Sequence, residues 1–181
     1  VQTAEKSAFS AAFHAALKPL DATPPVLIQR DYHAENLLWL PDRDGIARVG
    51  LLDFQDAMAG HPAYDLVSIL QDARRDVPPA IEAQMIARYI AASPQDAPEF
   101  ARAYALLGLQ RNLRILGVFA RLCIRDGKAH YVDLIPRVWG HIQTNLKHPD
   151  VAPLANMLAG LPAPDAETLN RIKSQCATPP S

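Results

Sequence analysis

Three residues of this chain have side chains and spacing suited to phosphate and metal chemistry: Asp31, Asn36 and Asp53. Asp31 and Asn36 bound the polar run Asp31-Tyr32-His33-Ala34-Glu35-Asn36, and Asp53 stands near the end of the apolar run 46–54. A carboxylate and an amide oxygen are hard ligands, suited to a Mg²⁺ ion that keeps waters and substrate phosphate oxygens in its remaining positions. Asp31 lies close enough to Asn36 to face the same cluster, where its carboxylate can accept the proton of an attacking hydroxyl.

The neighbouring segments must bring these side chains together. Val26-Leu27-Ile28 is a short apolar run that reads as a strand. Two further strand-like runs, 37–40 and 46–54, flank Pro41-Asp42-Arg43-Asp44-Gly45. Asp-Gly is a hairpin signal because glycine accepts positive φ at little steric cost. A hairpin is therefore expected over 36–54, with Asn36 opening one strand and Asp53 closing the other, so that both return to the same place. The rest reads as helix. Phe9, Phe13, Leu17 and Leu20 recur at helical spacing over 7–20. Further helices are expected over 62–75, 78–92, 98–124, 131–146, 151–161 and 165–174, with frayed ends over 177–181. The class is α+β, mostly helical, with a small β-hairpin at the active edge.

At 181 residues the chain can hold one domain with a sizeable core. With 49% hydrophobic and 20% charged residues it is not disordered as a whole. A net charge of -1 gives no bulk attraction to nucleic acid or an anionic membrane. No stretch reaches the roughly 18 apolar residues that span a bilayer, and the N-terminus lacks the pattern of a signal peptide. Cys123 and Cys176 lie far apart, with neither metal spacing nor a disulfide framework. Cys123, in an apolar helix, reads as buried filler. A reducing, cytoplasmic setting is the simplest expectation.

Asp-x-x-x-x-Asn followed by Asp53-Phe54 resembles the catalytic-loop and metal-loop signatures of kinases, with Gln55 where those enzymes carry glycine. The run Gln29-Arg30-Asp31-Tyr32-His33-Ala34-Glu35-Asn36 resembles the aminoglycoside phosphotransferase and choline kinase superfamily. The match continues through Leu51-Leu52-Asp53-Phe54-Gln55-Asp56-Ala57 and Gly60-His61-Pro62-Ala63-Tyr64-Asp65-Leu66. The likeness implies the C-terminal lobe of a protein-kinase-like fold, with ATP and Mg²⁺ as cofactors. It implies Asp31 as catalytic base, Asn36 and Asp53 as metal ligands, and Asp65 as a support hydrogen-bonded to the catalytic loop, which Gln29 and Arg30 also brace. A narrower resemblance runs over about 1–160, through Gln110-Arg111-Asn112-Leu113-Arg114, Phe119-Ala120-Arg121-Leu122, Pro136-Arg137-Val138-Trp139 and His148-Pro149. It points to bacterial anomeric sugar kinases of cell-wall recycling, which act on N-acetylmuramate and N-acetylglucosamine.

Two departures from the family pattern stand out. Gln29 occupies a position where the family usually has histidine. There are 8 glycines, none clustered as a phosphate-covering loop, and no strand-lysine unit precedes residue 26. The expectation is thus a single catalytic lobe, 1–181, without its N-terminal ATP-binding lobe, either a fragment or a truncated product. That missing lobe and a small sugar are the expected partners, with no nucleic acid and no membrane.

Other residues carry two readings each. His33 contacts phosphate or substrate, or braces the loop. Glu35 is a metal neighbour or a solvated carboxylate. Asp56 meets sugar hydroxyls or caps the next segment. Arg111 and Arg114, three apart on one helix, bind a substrate carboxylate in a bidentate fork or pair with acidic neighbours. Arg74-Arg75-Asp76 reads as a solvated helix end, and Trp39 and Trp139 read as core. Rival functions are a kinase of choline, ethanolamine, homoserine or an aminoglycoside, and a degenerate, non-catalytic kinase-like lobe.

Overall fold

The computed structural model describes residues 3–177. They fall into two compact units, Leu20–Leu107 and the described part of Val1–Pro19 with Gly108–Ser181.

The unit Leu20–Leu107 opens with β1 (Val26–Ile28). After the polar loop and a 3₁₀ turn over Ala34–Asn36 come β2 (Leu37–Trp39), a second 3₁₀ turn, β3 (Val49–Leu51) and β4 (Met58–Gly60). β2 and β3 pair antiparallel, with Leu37 opposite Leu51 and Trp39 opposite Val49. This is the expected hairpin, shorter than 36–54 because Gly45–Arg48 turns into 3₁₀ before the second strand. Gly45 sits at φ 53, the positive angle that favours glycine. The strand Val26–Ile28 is also as expected, and it has a partner that no local pattern signals: β1 pairs antiparallel with β4, Val26 opposite Gly60. At Gly60 a Cβ would come within 2.3 Å of the Ile28 side chain, so only glycine lets these two strands approach with Ile28 buried.

The helices of this unit carry its core. Pro62 leads into α2 (Ala63–Leu70), whose Ala63, Val67 and Leu70 are buried at i, i+4 and i+7. α2 ends at Leu70, five residues short of the expected end. Residue Asp72 turns its carboxylate onto the Arg74 N–H at 2.9 Å and the chain leaves the helix there. α3 (Pro79–Ala91) begins on proline at its first position, where the missing N–H is no loss. α4 (Ala97–Asp126) starts here, with Asp96 accepting from Glu99 N–H at 3.0 Å. Tyr89 stacks on the buried Phe100 with ring centroids 5.2 Å apart. Tyr104 donates to Glu82 at 2.7 Å, and Gln71 donates to the same oxygen at 3.3 Å. Burial and the Glu82 charge drive the Tyr104 phenol pKa far above its usual range.

The second unit is helical. α1 (Thr3–Leu17) sets the Phe9 and Phe13 rings in a tilted pair with centroids 4.9 Å apart. The later part of α4 packs against α5 (Ile135–Asn145) at Gly108, where a Cβ would lie 2.6 Å from the Asn145 amide. α6 (Ala155–Leu158) and α7 (Ala166–Lys173) follow. The first turns of the expected 131–146 and 151–161 helices are 3₁₀. α7 starts where expected, Asp165 accepting from Thr168 N–H at 2.7 Å; that bond holds the Asp165 carboxyl below the usual carboxylate range.

Two expectations are corrected. Cys123 and Cys176 form a disulfide, with Cα atoms 4.8 Å apart. Distance in sequence hid the pair: α7 lies against the 3₁₀ turn Ala129–Leu134 that follows α4, with Lys173 paired to Asp133 at 2.5 Å, and Ala177 N–H donates to the Cys123 carbonyl. Trp39 is 66% exposed rather than core, because the two-stranded β2–β3 hairpin leaves one face uncovered; Arg48 lies over its ring at 5.9 Å. Residues 178–181, expected to fray, lie outside the described residues. No helix among the described residues is long and apolar enough to cross a membrane.

Candidate active site

All of the loop candidates lie in the unit Leu20–Leu107. The chain leaves β1 at Ile28 and turns sharply. Arg30 adopts φ 68, a left-handed conformation that a residue with a Cβ rarely takes. Two backbone donors are satisfied from α2: Asp65 accepts Gln29 N–H at 2.7 Å and Arg30 N–H at 3.0 Å, one on each carboxylate oxygen. Hydrogen bonds to a carboxylate are the strong kind. Because the Gln29 contact is made by its backbone, glutamine in place of histidine does not remove this brace.

Asp31 follows. Its N–H donates to the Gln29 carbonyl at 2.8 Å, and its own carbonyl accepts from His33 N–H at 3.1 Å and from Asn36 Nδ2 at 2.9 Å. Its main chain is thus held on both sides. Its exposed carboxylate takes no hydrogen bond or ion pair from another described residue. Asn36 ends the 3₁₀ turn just before β2, and Leu52 N–H donates to its carbonyl at 2.9 Å. That bond extends the β2–β3 ladder and returns the chain so that Asp53 Oδ2 lies 3.4 Å from Asn36 Nδ2. Asp53 is itself left-handed, at φ 56. Gln55 Nε2 donates to its other oxygen, a contact that adjacency alone could have suggested.

The remaining candidates take bracing positions. His33 Nε2 lies 3.4 Å from Asn36 Nδ2, while its buried Nδ1 has no hydrogen-bond partner. Glu35 pairs with Arg74 at 3.3 Å, so Arg74 is a tie to the loop rather than a solvated helix end. Arg30 and Asp56 approach to 4.0 Å. Tyr32 is half-buried, and burial together with the Asp65 charge pushes its phenol pKa up. His61 Nδ1 accepts Ala63 N–H at 3.1 Å at the start of α2, and burial lowers its pKa. Arg111 and Arg114 belong to the other unit. There Arg111 is buried and Arg114 exposed, so the two present different environments along α4.

The described residues hold no group of three or more His, Cys, Asp or Glu side chains that could cage a metal. The loop and hairpin bring the Asn36 carboxamide to the Asp53 carboxylate and to the Asp31 main chain, and leave the Asp31 carboxylate without a partner among the described residues. Short polar loops of this kind, set on a rigid helix, are where phosphotransferases keep their reacting groups.

Residues 2–106 match the phosphotransferase enzyme family APH, and the chain belongs to that family. The chain is 53% identical over 135 residues to the N-acetylmuramate/N-acetylglucosamine kinase of Caulobacter vibrioides, covering 74% of this chain and 37% of that protein. It is 35% identical over 147 residues to the enzyme of the same name from Pseudomonas aeruginosa, covering 77% and 42%. With that from Neisseria meningitidis it shares 36% over 153 residues, covering 80% and 44%. The matches thus cover about two-fifths of the length of these curated relatives. The family and the mostly helical fold with its small hairpin agree with the resemblance read from the catalytic loop.

Proposed function

We propose that this chain is the catalytic lobe of an ATP-dependent phosphotransferase acting on the anomeric hydroxyl of N-acetylmuramate and N-acetylglucosamine. The observation that carries the reading is the approach of Asn36 to both Asp31 and Asp53, at 2.9 Å and 3.4 Å, around an Asp31 carboxylate left free. The relatives, N-acetylmuramate/N-acetylglucosamine kinases, supply the substrate class.

In this reading Asp31 orients the sugar hydroxyl and accepts its proton as the oxygen attacks phosphorus. Asn36 keeps the Asp31 main chain in place. Asn36 and Asp53 would hold Mg²⁺; one amide oxygen and one carboxylate suit an ion that fills its shell with waters and phosphate oxygens. A Mg²⁺ held by Asn36 and Asp53 would supply charge neutralisation for the transferred phosphoryl group. Asp65 fixes the loop from below through two backbone N–H groups.

ATP binding is assigned to a second lobe outside residues 1–181. What supports this is the share of the relatives that the chain spans, and exposed apolar side chains on and next to the strands of this unit. Leu27 is 76% exposed, Phe54 64% and Ile46 96%. Large apolar side chains left this exposed are suited to contact with a partner. A kinase working on ATP fits a cytoplasmic setting, and there the Cys123–Cys176 bond faces a reducing pool.

The test is phosphoryl transfer by the full-length protein with ATP, Mg²⁺ and each sugar, followed by ³¹P NMR. A sugar 1-phosphate resonance that disappears in Asp31→Asn supports the reading. A phosphate on another position, or full activity in Asp31→Asn, overturns it.

A further inference from the structure

α2 carries a second polar side chain aimed at the loop. Ser68 lies three residues after Asp65, on the same helix face. Its hydroxyl donates to the Arg30 carbonyl at 3.3 Å, across 38 residues of sequence, and the residue is fully buried. A serine within a helix commonly returns its hydroxyl to a carbonyl of its own preceding turn; here it reaches another segment. The single residue Arg30 therefore has both of its main-chain groups held from α2, the N–H by Asp65 at 3.0 Å and the C=O by Ser68. Arg30 is also the residue at φ 68.

These facts have one physical consequence. Arg30, with a side chain, relaxes toward ordinary negative φ unless the surroundings fix it. Relaxation rotates the peptide joining Arg30 to Asp31 and carries the Asp31 carboxylate with it. We infer that Ser68 is a positioning residue of the phosphoryl-transfer reaction, forming with Asp65 a two-point clamp that keeps Arg30 left-handed and so aims Asp31. The inference rests on the proposed function for its kinetic meaning and on geometry alone for the clamp. Glycine at residue 30 needs no clamp, since it takes positive φ freely. Ser68 therefore matters only while a side chain stands at position 30.

The experiment is a double-mutant cycle in the full-length protein with Ser68→Ala, Arg30→Gly and the pair, and with Ser68→Thr to restore the hydroxyl. Ser68→Ala should lower kcat by about 10- to 100-fold with little change in KM for the sugar, as expected for a displaced reacting group. In the Arg30→Gly background the same change should have almost no effect. Amide exchange in the same samples should accelerate at residues 29–31 in Ser68→Ala alone. A Ser68→Ala loss of equal size in both backgrounds, or unchanged kcat and unchanged exchange, overturns the clamp and leaves Ser68 a small core residue. If Ser68→Thr is too bulky to fold, the cycle with Arg30→Gly still decides. If the unmutated protein transfers no phosphate, the functional reading falls, while loop exchange in Ser68→Ala still shows whether the clamp exists.

Discussion

Asn36 holds Asp31 by the main chain and not by the carboxylate: its amide nitrogen donates to the Asp31 carbonyl oxygen at 2.9 Å. The acid is thereby fixed in place while its side chain stays available. The same amide reaches Asp53 Oδ2 at 3.4 Å, so one carboxamide ties the main chain of the loop at Asp31 to the carboxylate at the end of the hairpin.

Asp31→Asn keeps the size of the side chain and removes the proposed base. Phosphoryl transfer should fall by about 10²- to 10⁴-fold, with circular dichroism and melting temperature unchanged because the Asp31 carboxylate has no partner to lose. Asn36→Ala should lower activity and also raise the Mg²⁺ concentration needed for half-maximal rate. A Mg²⁺ dependence unaltered in Asn36→Ala would remove this residue from the metal site.

Asp65 accepts two backbone N–H groups. In Asp65→Asn one oxygen becomes a donor that meets an N–H donor head-on. The expected destabilisation is about 1–3 kcal/mol, seen as a lower denaturant midpoint and faster amide exchange at Gln29 and Arg30. Full protection of both amides in the variant contradicts the role given to Asp65.

His61 gives α2 a pH dependence. Burial lowers its pKa in the fold, and its Nδ1 must stay unprotonated to accept the Ala63 N–H. Between the lowered folded value and the unfolded value of about 6.5, the unfolded chain binds the proton more readily than the folded one. Stability therefore rises with pH across that window, is complete above it, and is lost as pH falls through it. His61→Asn, which can still accept the N–H, should flatten this part of a melting-temperature profile taken from about pH 8 to about pH 5. An unchanged profile in His61→Asn assigns the dependence to other groups.

The Cys123–Cys176 bond spans 53 residues. In the chain-entropy account a loop of that size gives about 4 kcal/mol of stabilisation, acting on the unfolded state. Cys176→Ser should melt well below the oxidised protein, and reduced wild-type protein should melt with the variant. Equal melting of oxidised protein and Cys176→Ser would show that no such bond forms.

Gly108 faces the Asn145 amide, where a Cβ would meet nitrogen at 2.6 Å. Gly108→Ala gains helix propensity but must push α5 or the Asn145 side chain aside. A net loss of about 1–3 kcal/mol is expected, measured by urea denaturation. A stabilised variant would mean that Asn145 yields without resistance.

The sequence by itself determined the polar loop after β1, the hairpin and the helices along most of the chain. These rest on short-range causes: an Asp-Gly turn, a strand that doubles back within 15 residues of Asn36, and apolar residues at helical spacing. The approach of Asn36 to Asp53 was legible for the same reason, since one local hairpin brings the two together. Tertiary structure alone decided the rest. β4 as the partner of β1, Ser68 on the Arg30 carbonyl, Arg74 on Glu35 and Cys176 on Cys123 each join segments that no periodicity connects. The exposure of Trp39 likewise depends on what covers the hairpin, and no spacing within the chain encodes that. The left-handed turn at Arg30 is the sharpest case: the residue gives no sign of it, because the conformation is imposed by hydrogen bonds from a helix that begins more than 30 residues later.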